Sequence, residues 1–527
     1  MVLWLGNQVK GSSMNTTTQL GHKPGQLLGR VGHAIRTTLL PDEDTRTASE
    51  RKENGAELRN RVPRSSHAQW LPAADRPDPV DLLRSSGETR VQELLPLRYE
   101  RMSVSAFTFY RGGALIMASD LAHTPSTGLE VQACGDAHIS NFGLFSSPER
   151  RTVFDINDFD ETSRGPWEWD VKRLATSVEI CGRDRGFKDK DRTEAVLACV
   201  RGYREAMCDF ARMGEMDVWY AHLDVDDLLA RFTGNGEPDA SGKGKGKGKK
   251  KKDKGDKAVA KSAKKAAKVV AKAKAKDSTR AIAKLTEVVD GQLRIVSDPP
   301  VVVPLRDMAA RAGKADFVDS ADMEKLISLA LIEYRRTLSP DKRRLVERYR
   351  GVDMAQKVVG VGSVGTRAFI VVMQGAAEGD HLVLQVKEAQ ESVLERYCGK
   401  SAAREHGQRV VEGQRAIQTA SDMLLGWCRL PASGGGFKDY YVRQLWDGKG
   451  SIDLSSIDKR QLKVLAAACG RTLAHAHART GDRFAIAGYL GSSDKFDRAI
   501  ARFAVAYADQ NEADYARFMQ ALATDEL

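Results

Sequence analysis

Two short polar runs carry the residue types that chemistry needs. One is Cys134-Gly135-Asp136-Ala137-His138-Ile139-Ser140-Asn141-Phe142-Gly143, the other Phe154-Asp155-Ile156-Asn157-Asp158-Phe159-Asp160-Glu161. A carboxylate buried without a partner is costly, so acidic loops set beside apolar segments mark a site rather than a core. Asp136 can accept a proton from an attacking hydroxyl. Asn141, five residues on, can offer its amide oxygen to Mg²⁺, and Asp158 can complete a hard oxygen shell, with Asp160 as a second metal ligand. His138 is read as a brace for the loop in preference to a metal ligand. Together these residues suit phosphoryl transfer.

That chemistry also needs a group that holds phosphates. The segment Gly360-x-Gly362-Ser363-x-Gly365 has the glycine spacing of a phosphate-covering flap. The β-branched run Ala368–Met373 after it favours strand–loop–strand over the strand–loop–helix of a dinucleotide fold, although Asp380 sits near the ribose-binding offset of that pattern. A plain hairpin turn is the bland alternative. In Leu382–Lys387 the alternation places Val383, Gln385 and Lys387 on one face, so Lys387 can reach nucleotide phosphates. It then needs a carboxylate to hold it. Glu405 and Glu412 are available on the next helix, and Glu412, set amid apolar residues, is preferred.

Stepping outward, the spacing predicts a short strand at Val131–Ala133 leading into the Asp136 loop. A hairpin is expected over Leu144-Phe145 and Thr152–Phe154, and a helix starting near Asp170 as N-cap, with Val171, Leu174, Val178 and Cys181 on its stripe. Further helices are expected at 189–213, 320–348, 402–426, 459–480 and over the last forty residues, with strands at Leu293–Val296 and Tyr440–Leu445. Arg111, beside Gly112 and Gly113, is read as a structural ion-pair partner in preference to a phosphate contact. His475 and His477 point about 200° apart on a helix and cannot share one ion, so packing is expected for both.

The net charge of +11 belongs to one tract: residues 241–276 hold sixteen lysines and two aspartates, and the remainder of the chain carries −3. This removes most of the case for a nucleic-acid-binding fold and leaves a salt-sensitive, non-specific polyanion contact through the Lys-rich insert. No apolar run is long enough to span a membrane, and the N-terminus lacks the features of a secretion signal. Seven cysteines without a Cys-x-x-Cys pair are the pattern of reduced thiols, which implies a cytoplasmic protein with neither a disulfide framework nor a zinc site.

Gly135-Asp136-x-His138-x-x-Asn141, Asn157-Asp158-Phe159-Asp160 and Gly165-Pro166…Trp169-Asp170 resemble the catalytic and metal-binding segments of aminoglycoside and choline-type phosphotransferases. Those enzymes have protein-kinase-like folds. From about residue 55 onward the chain also resembles the uncharacterised bacterial domain-of-unknown-function family 2252, through Pro63-Arg64…His67-Ala68…Trp70, Phe107–Gly112, the Asp136 loop and Gly488–Asp497. The resemblance implies ATP (or another NTP) and Mg²⁺ as cofactors and an unknown hydroxylated acceptor. It departs from the kinase pattern in one respect: the flap and Lys387 follow the Asp136 loop instead of preceding it. The expected fold is therefore α+β and two-lobed, protein-kinase-like and circularly permuted. Its parts are a loosely ordered arm at 1–60, a catalytic-loop and metal-binding lobe at 61–233, the low-complexity insert at 234–277, a connecting segment at 278–350, a nucleotide-holding β-rich lobe at 351–450 and C-terminal helices at 451–527. A non-catalytic, pseudokinase-like nucleotide-binding regulator and a metal-dependent phosphoesterase are the alternatives to the phosphotransferase.

Overall fold

Four long helices carry the larger core: α1 (Trp167–Asp184), α2 (Asp189–Phe210), α4 (Lys459–Thr480) and α5 (Lys495–Ala523), with α3 (His406–Ile417) set between α4 and the sheet described below. The computed structural model describes residues 45–223, 225, 228, 278–289, 292–307, 320–358, 360, 364–432, 435–445 and 450–527. Helix α1 is buried on every side from Trp167 to Gly182, the mark of a central helix rather than an amphipathic surface one. Trp167 stacks on Tyr203 with ring centroids 5.7 Å apart, which locks α1 to α2. Helices α2 and α4 approach so closely that a Cβ at Gly470 would stand 2.0 Å from the Cys199 carbonyl oxygen. Short helices at Pro79–Gly87, Leu95–Met102, Ala106–Gly112 and Ala114–Leu121 pack a satellite core of Leu83, Tyr99, Met102, Phe109 and Ile116 against Phe518 of α5.

Strands β1 (Glu130–Ala133) and β4 (Ser163–Pro166) form an antiparallel pair, and β2 (Phe142–Ser146) and β3 (Thr152–Ile156) form the expected hairpin. Strands β5 (Thr286–Val289) and β6 (Gln292–Ile295) form a two-stranded antiparallel sheet of their own. Next come β7 (Val302–Pro304), β8 (Arg350–Lys357), β9 (Ala368–Gln374), β10 (His381–Ala389), β11 (Gly426–Pro431) and β12 (Phe437–Gln444), which build one antiparallel sheet in the order β11-β12-β10-β9-β8-β7. Strand β13 (Gly450–Ser451) pairs with β2. Strand alternation divides the sheet's side chains between two cores. Val371, Met373, Leu382 and Leu384 face Tyr334, Leu338 and Val346 on one side, while Ile370, Val372 and Val383 face Ala281, Leu285 and Ile295 on the other. The architecture is α+β. Among the described residues no helix is long and apolar enough to cross a membrane.

Several expectations need correction. Residues 48–61, assigned to a loose arm, form a helix, and Gly55 and Gly488 let it cross Arg483–Leu490 at contact distance: a Cβ at Gly488 would stand 2.0 Å from the Lys52 carbonyl oxygen. The helix expected over 402–426 ends at Ile417, because the chain turns back to form β11. Lys387 lies inside β10, two residues before its end. Asp170 is not an N-cap: α1 begins at Trp167 after Pro166, so Asp170 sits in its first turn. The insert 234–277 lies outside the described residues.

Candidate functional site

The Asp136 loop leaves β1 at Ala133 and ends in a 3₁₀ turn, Ile139–Asn141, that feeds β2. Gly135 is required there. It is left-handed, with φ of +81°, and a Cβ on it would lie 2.2 Å from the Glu161 carbonyl oxygen. Asp170, 1 % exposed, anchors the loop from below. Its Oδ2 accepts from the Cys134 amide at 2.6 Å and its Oδ1 from the Gly135 amide at 3.0 Å. His477 Nε2 of α4 lies 3.1 Å from Asp170 Oδ2, and its Nδ1 lies 2.8 Å from the Tyr203 hydroxyl. His475 is also buried, 2.7 Å from the Val218 carbonyl through Nε2. Both histidines are buried with partners of their own, the packing role expected of them.

One turn further along α1, Arg173 donates to Asp136 Oδ1 through Nε at 2.9 Å and Nη2 at 2.8 Å, and through Nη2 to the Tyr110 carbonyl at 2.8 Å. Burial of this guanidinium opposes its charge, but Asp136 outweighs burial and holds its pKa above the ordinary arginine value. His138 is buried, and its Nε2 lies 3.7 Å from Asp136 Oδ2. Burial pushes the imidazole down to about 3, so it is neutral at pH 7. Asn141 donates its Nδ2 to the Asp136 carbonyl at 2.7 Å, which leaves the amide oxygen directed elsewhere, and its own carbonyl accepts from the Asn157 amide at 2.8 Å. The two acidic loops are thus hydrogen-bonded to each other.

Lys387 reaches this second loop from the sheet. Its Nζ is paired with Asp160 Oδ2 and lies 4.0 Å from Asp158 Oδ1. Tyr441, the register partner of Lys387 across β10 and β12, donates to Asp160 Oδ1 at 2.8 Å. Burial of the ammonium works against its charge, yet Asp158 and Asp160 prevail and keep its pKa above the ordinary lysine value. Glu412 does not hold Lys387. It lies on the exposed face of α3, where Gln408 Nε2 donates to it at 2.8 Å. Asp160 takes that part, with both of its oxygens engaged. Asp158 keeps 37 % of its side-chain surface open and faces the same cleft as Asp136 and Asn141. Helix α3 contributes Arg409 instead of Glu412: its Nη2 donates to the Asp160 carbonyl at 2.9 Å and the Gln390 carbonyl at 2.6 Å, which fastens sheet to loop.

The glycine segment does join two antiparallel strands, β8 and β9. Gly360 is exposed, and Gly362 and Ser363 lie outside the described residues. Gly365 is left-handed, with φ of +90°, and its carbonyl accepts from the Val91 amide at 2.8 Å. Arg90 Nη1 donates to the Val364 carbonyl at 2.6 Å. Arg111 is not the ion-pair partner expected of it. It lines the cleft with Arg90 and Arg98, and its Nε has no hydrogen-bond partner among the described residues.

Arg173, Arg409 and Tyr441 have no assigned role in the sequence reading, and Asp170 appears there as a helix cap and in the Gly165…Asp170 resemblance, not as the anchor of the loop. The i, i+3 spacing of Asp170 and Arg173, which puts both on one face of α1, was a usable signal. Nothing local marks Arg409 or Tyr441. Among the described residues no group of three or more His, Cys, Asp or Glu side chains is arranged to hold a metal ion. Asn141 and Asp158 supply one amide oxygen and one carboxylate, a set that fits Mg²⁺, which is commonly bound through one or two carboxylates with substrate phosphates and water completing its shell. All seven cysteines are free thiols.

No curated protein and no solved structure matches the chain. A family described as "Uncharacterized protein conserved in bacteria" (DUF2252) matches residues 90–521, most of the chain, and to that family the protein belongs.

Proposed function

We propose that this protein is an ATP–Mg²⁺-dependent phosphotransferase of permuted, two-lobed, protein-kinase-like design, acting on a hydroxylated acceptor. The observation that carries the reading is the meeting of Lys387 with Asp158 and Asp160, residues more than 220 positions apart in the chain. A fold with no use for phosphates gains little by burying an ammonium against two carboxylates, since a buried ion pair is at best weakly stabilising. The order flap, second strand, lysine on the third strand, then helix is also that of the nucleotide-holding part of protein kinases.

In this reading the acceptor hydroxyl gives its proton to Asp136 as its oxygen forms the new bond to the γ-phosphorus. The bond from that phosphorus to the β-bridging oxygen breaks, and ADP carries away the electron pair. Arg173 holds Oδ1 of Asp136 and leaves Oδ2 to the acceptor, with neutral His138 beside it. Lys387, fixed by Asp160 and Tyr441, contacts the nucleotide phosphates. Asn141 and Asp158 would hold Mg²⁺, which when bound neutralises charge on the phosphates.

The test measures binding of ATP–Mg²⁺ and turnover in wild type, Asp136→Asn, Asp158→Asn and Lys387→Met. Lys387→Met and Asp158→Asn should weaken nucleotide binding. Asp136→Asn should bind normally and lose on the order of a hundredfold or more in turnover. A wild-type protein that binds no ATP–Mg²⁺ ends this reading. The pseudokinase-like alternative draws on one observation, the engagement of both Asp160 oxygens by Lys387 and Tyr441, and it gains if wild type binds nucleotide without turning it over.

A further inference from the structure

The cleft lined by the carboxylates is also lined by arginines. Helices between Pro79 and Leu121 bring Arg90, Arg98 and Arg111 to it, alongside Asp136, Asn141 and Asp158. Arg98 is 1 % exposed. Its Nη2 donates to the Gly112 carbonyl at 3.3 Å, while Nε and Nη1 have no hydrogen-bond partner among the described residues. Arg111 Nε is likewise buried and unpartnered. Arg90 donates only to the backbone carbonyls of Ser86 and Val364. Among the described residues none of the three forms an ion pair. The other cations of the site are already matched, Arg173 by Asp136 and Lys387 by Asp160.

A guanidinium withdrawn from water with donors unused is destabilising, and folded proteins rarely retain one without a compensating partner. Arg98 and Arg111 keep unused buried donors in a cleft that Asp136, Asp158, Asp160 and Glu161 also line, and their planar forks suit a tetrahedral or carboxylate oxyanion. Burial pushes all three below the ordinary arginine value, Arg98 to about 9: the carboxylates near Arg90 and Arg111 do not offset burial, and the neighbouring Arg90 charge lowers Arg98 further. The arginines share the cleft with Asp136, the group that would meet the acceptor hydroxyl, whereas Lys387 stands on the sheet.

We propose that Arg98 and Arg111, with Arg90 beside them, form an oxyanion-binding subsite for the acceptor, which is therefore a hydroxylated compound that also carries a phosphate, sulfate or carboxylate group. This assignment of substrate class rests on the phosphotransferase reading. The anion fills the arginine subsite and so presents the hydroxyl to Asp136 in a fixed orientation, a gain in proximity that a neutral acceptor would lack.

Titration calorimetry of the full-length protein with two probes, inorganic phosphate and Mg²⁺ with a non-hydrolysable ATP analogue, tests it. Arg98→Met and Arg111→Met should weaken phosphate by about tenfold or more and leave the nucleotide analogue within about twofold of wild type, while Arg98→Lys should recover part of the phosphate affinity. Phosphate should still bind when the analogue is saturating. If phosphate competes with the analogue and both arginine variants weaken the two probes alike, the arginines hold the nucleotide's own phosphates and the acceptor assignment is overturned. Failure of wild type to bind phosphate at all overturns it too. Arginine-dependent phosphate binding without any nucleotide binding supports the oxyanion subsite and removes the phosphotransferase reading, so the two failures are distinct. Arg98→Met should melt no lower than wild type, since it removes a buried, unpaired charge; should it fail to fold, the more exposed Arg111→Met carries the test.

Discussion

Replacing Asp170 should damage both stability and the Asp136 loop, by an amount the hydrogen bonds allow one to work out. The carboxylate is 1 % exposed and accepts from two consecutive backbone amides, Cys134 and Gly135, with His477 Nε2 as a third neighbour. Asp170→Ala leaves two amide donors without their acceptor and His477 without its carboxylate. At about 1–3 kcal/mol for each buried group left unsatisfied, the three groups give an expected loss of about 3–9 kcal/mol. Asp170→Asn keeps one acceptor oxygen but turns an NH₂ group toward the other amide, and about 2–4 kcal/mol is expected. Urea unfolding gives the stability change, and hydrogen exchange of residues 134–141 reports the loop. Exchange there should speed up more than in the α2–α4 core, because the lost acceptor serves the loop directly. Equal stability of Asp170→Asn and wild type, with unchanged exchange at Cys134 and Gly135, would refute the claim that this carboxylate positions the loop.

Other perturbations follow from the same coordinates. Gly470→Ala places a methyl 2.0 Å from the Cys199 carbonyl oxygen, so α2 and α4 must separate, and a loss of about 2–4 kcal/mol is expected in denaturant unfolding. His67 and His475 are buried and neutral, with burial pushing their pKa values down to about 3 and about 4. The unfolded chain takes up protons at these imidazoles below pH 6.5 while the folded protein does not, so stability falls as pH drops from 6.5 toward 4; at pH 5 each contributes a loss of about 2 kcal/mol. His67→Gln should flatten this acid limb in urea titrations run from pH 7 to pH 5. Tyr441→Phe removes the hydroxyl that donates to Asp160 at 2.8 Å and is expected to cost about 1.5–3 kcal/mol, with a larger effect than Tyr440→Phe on the opposite strand face.

Much of the site was legible in local sequence because loops of this kind are written in residue type and short spacing. Asp136, Asn141 and Asp158 occupy one cleft, and the periodicity of 459–480 matched α4 to the residue. The glycine segment joins two strands, as the β-branched run after it required. Errors arose where the deciding partner lay far away in the chain. Glu412 was chosen by its apolar neighbours, but an α-helix has one inward face, and α3 turns Arg409, not Glu412, toward the acidic loop. Asp170 was assigned to a cap because the helix start was misplaced by four residues.

Sequence alone determined the chemistry on offer: an acidic pair of loops, a lysine on a strand and a glycine turn. Composition and hydrophobic period express such features over ten or twenty residues at a time. Only the tertiary structure decided which carboxylate meets Lys387, which one anchors the loop and which arginines remain without counter-ions. Those outcomes depend on strand register and helix rotation, as in the pairing of Lys387 with Tyr441 and the placing of Arg98 against the Asp136 cleft. A charge is satisfied or left bare by neighbours brought in from anywhere along the chain, and that choice is made by packing rather than by spacing.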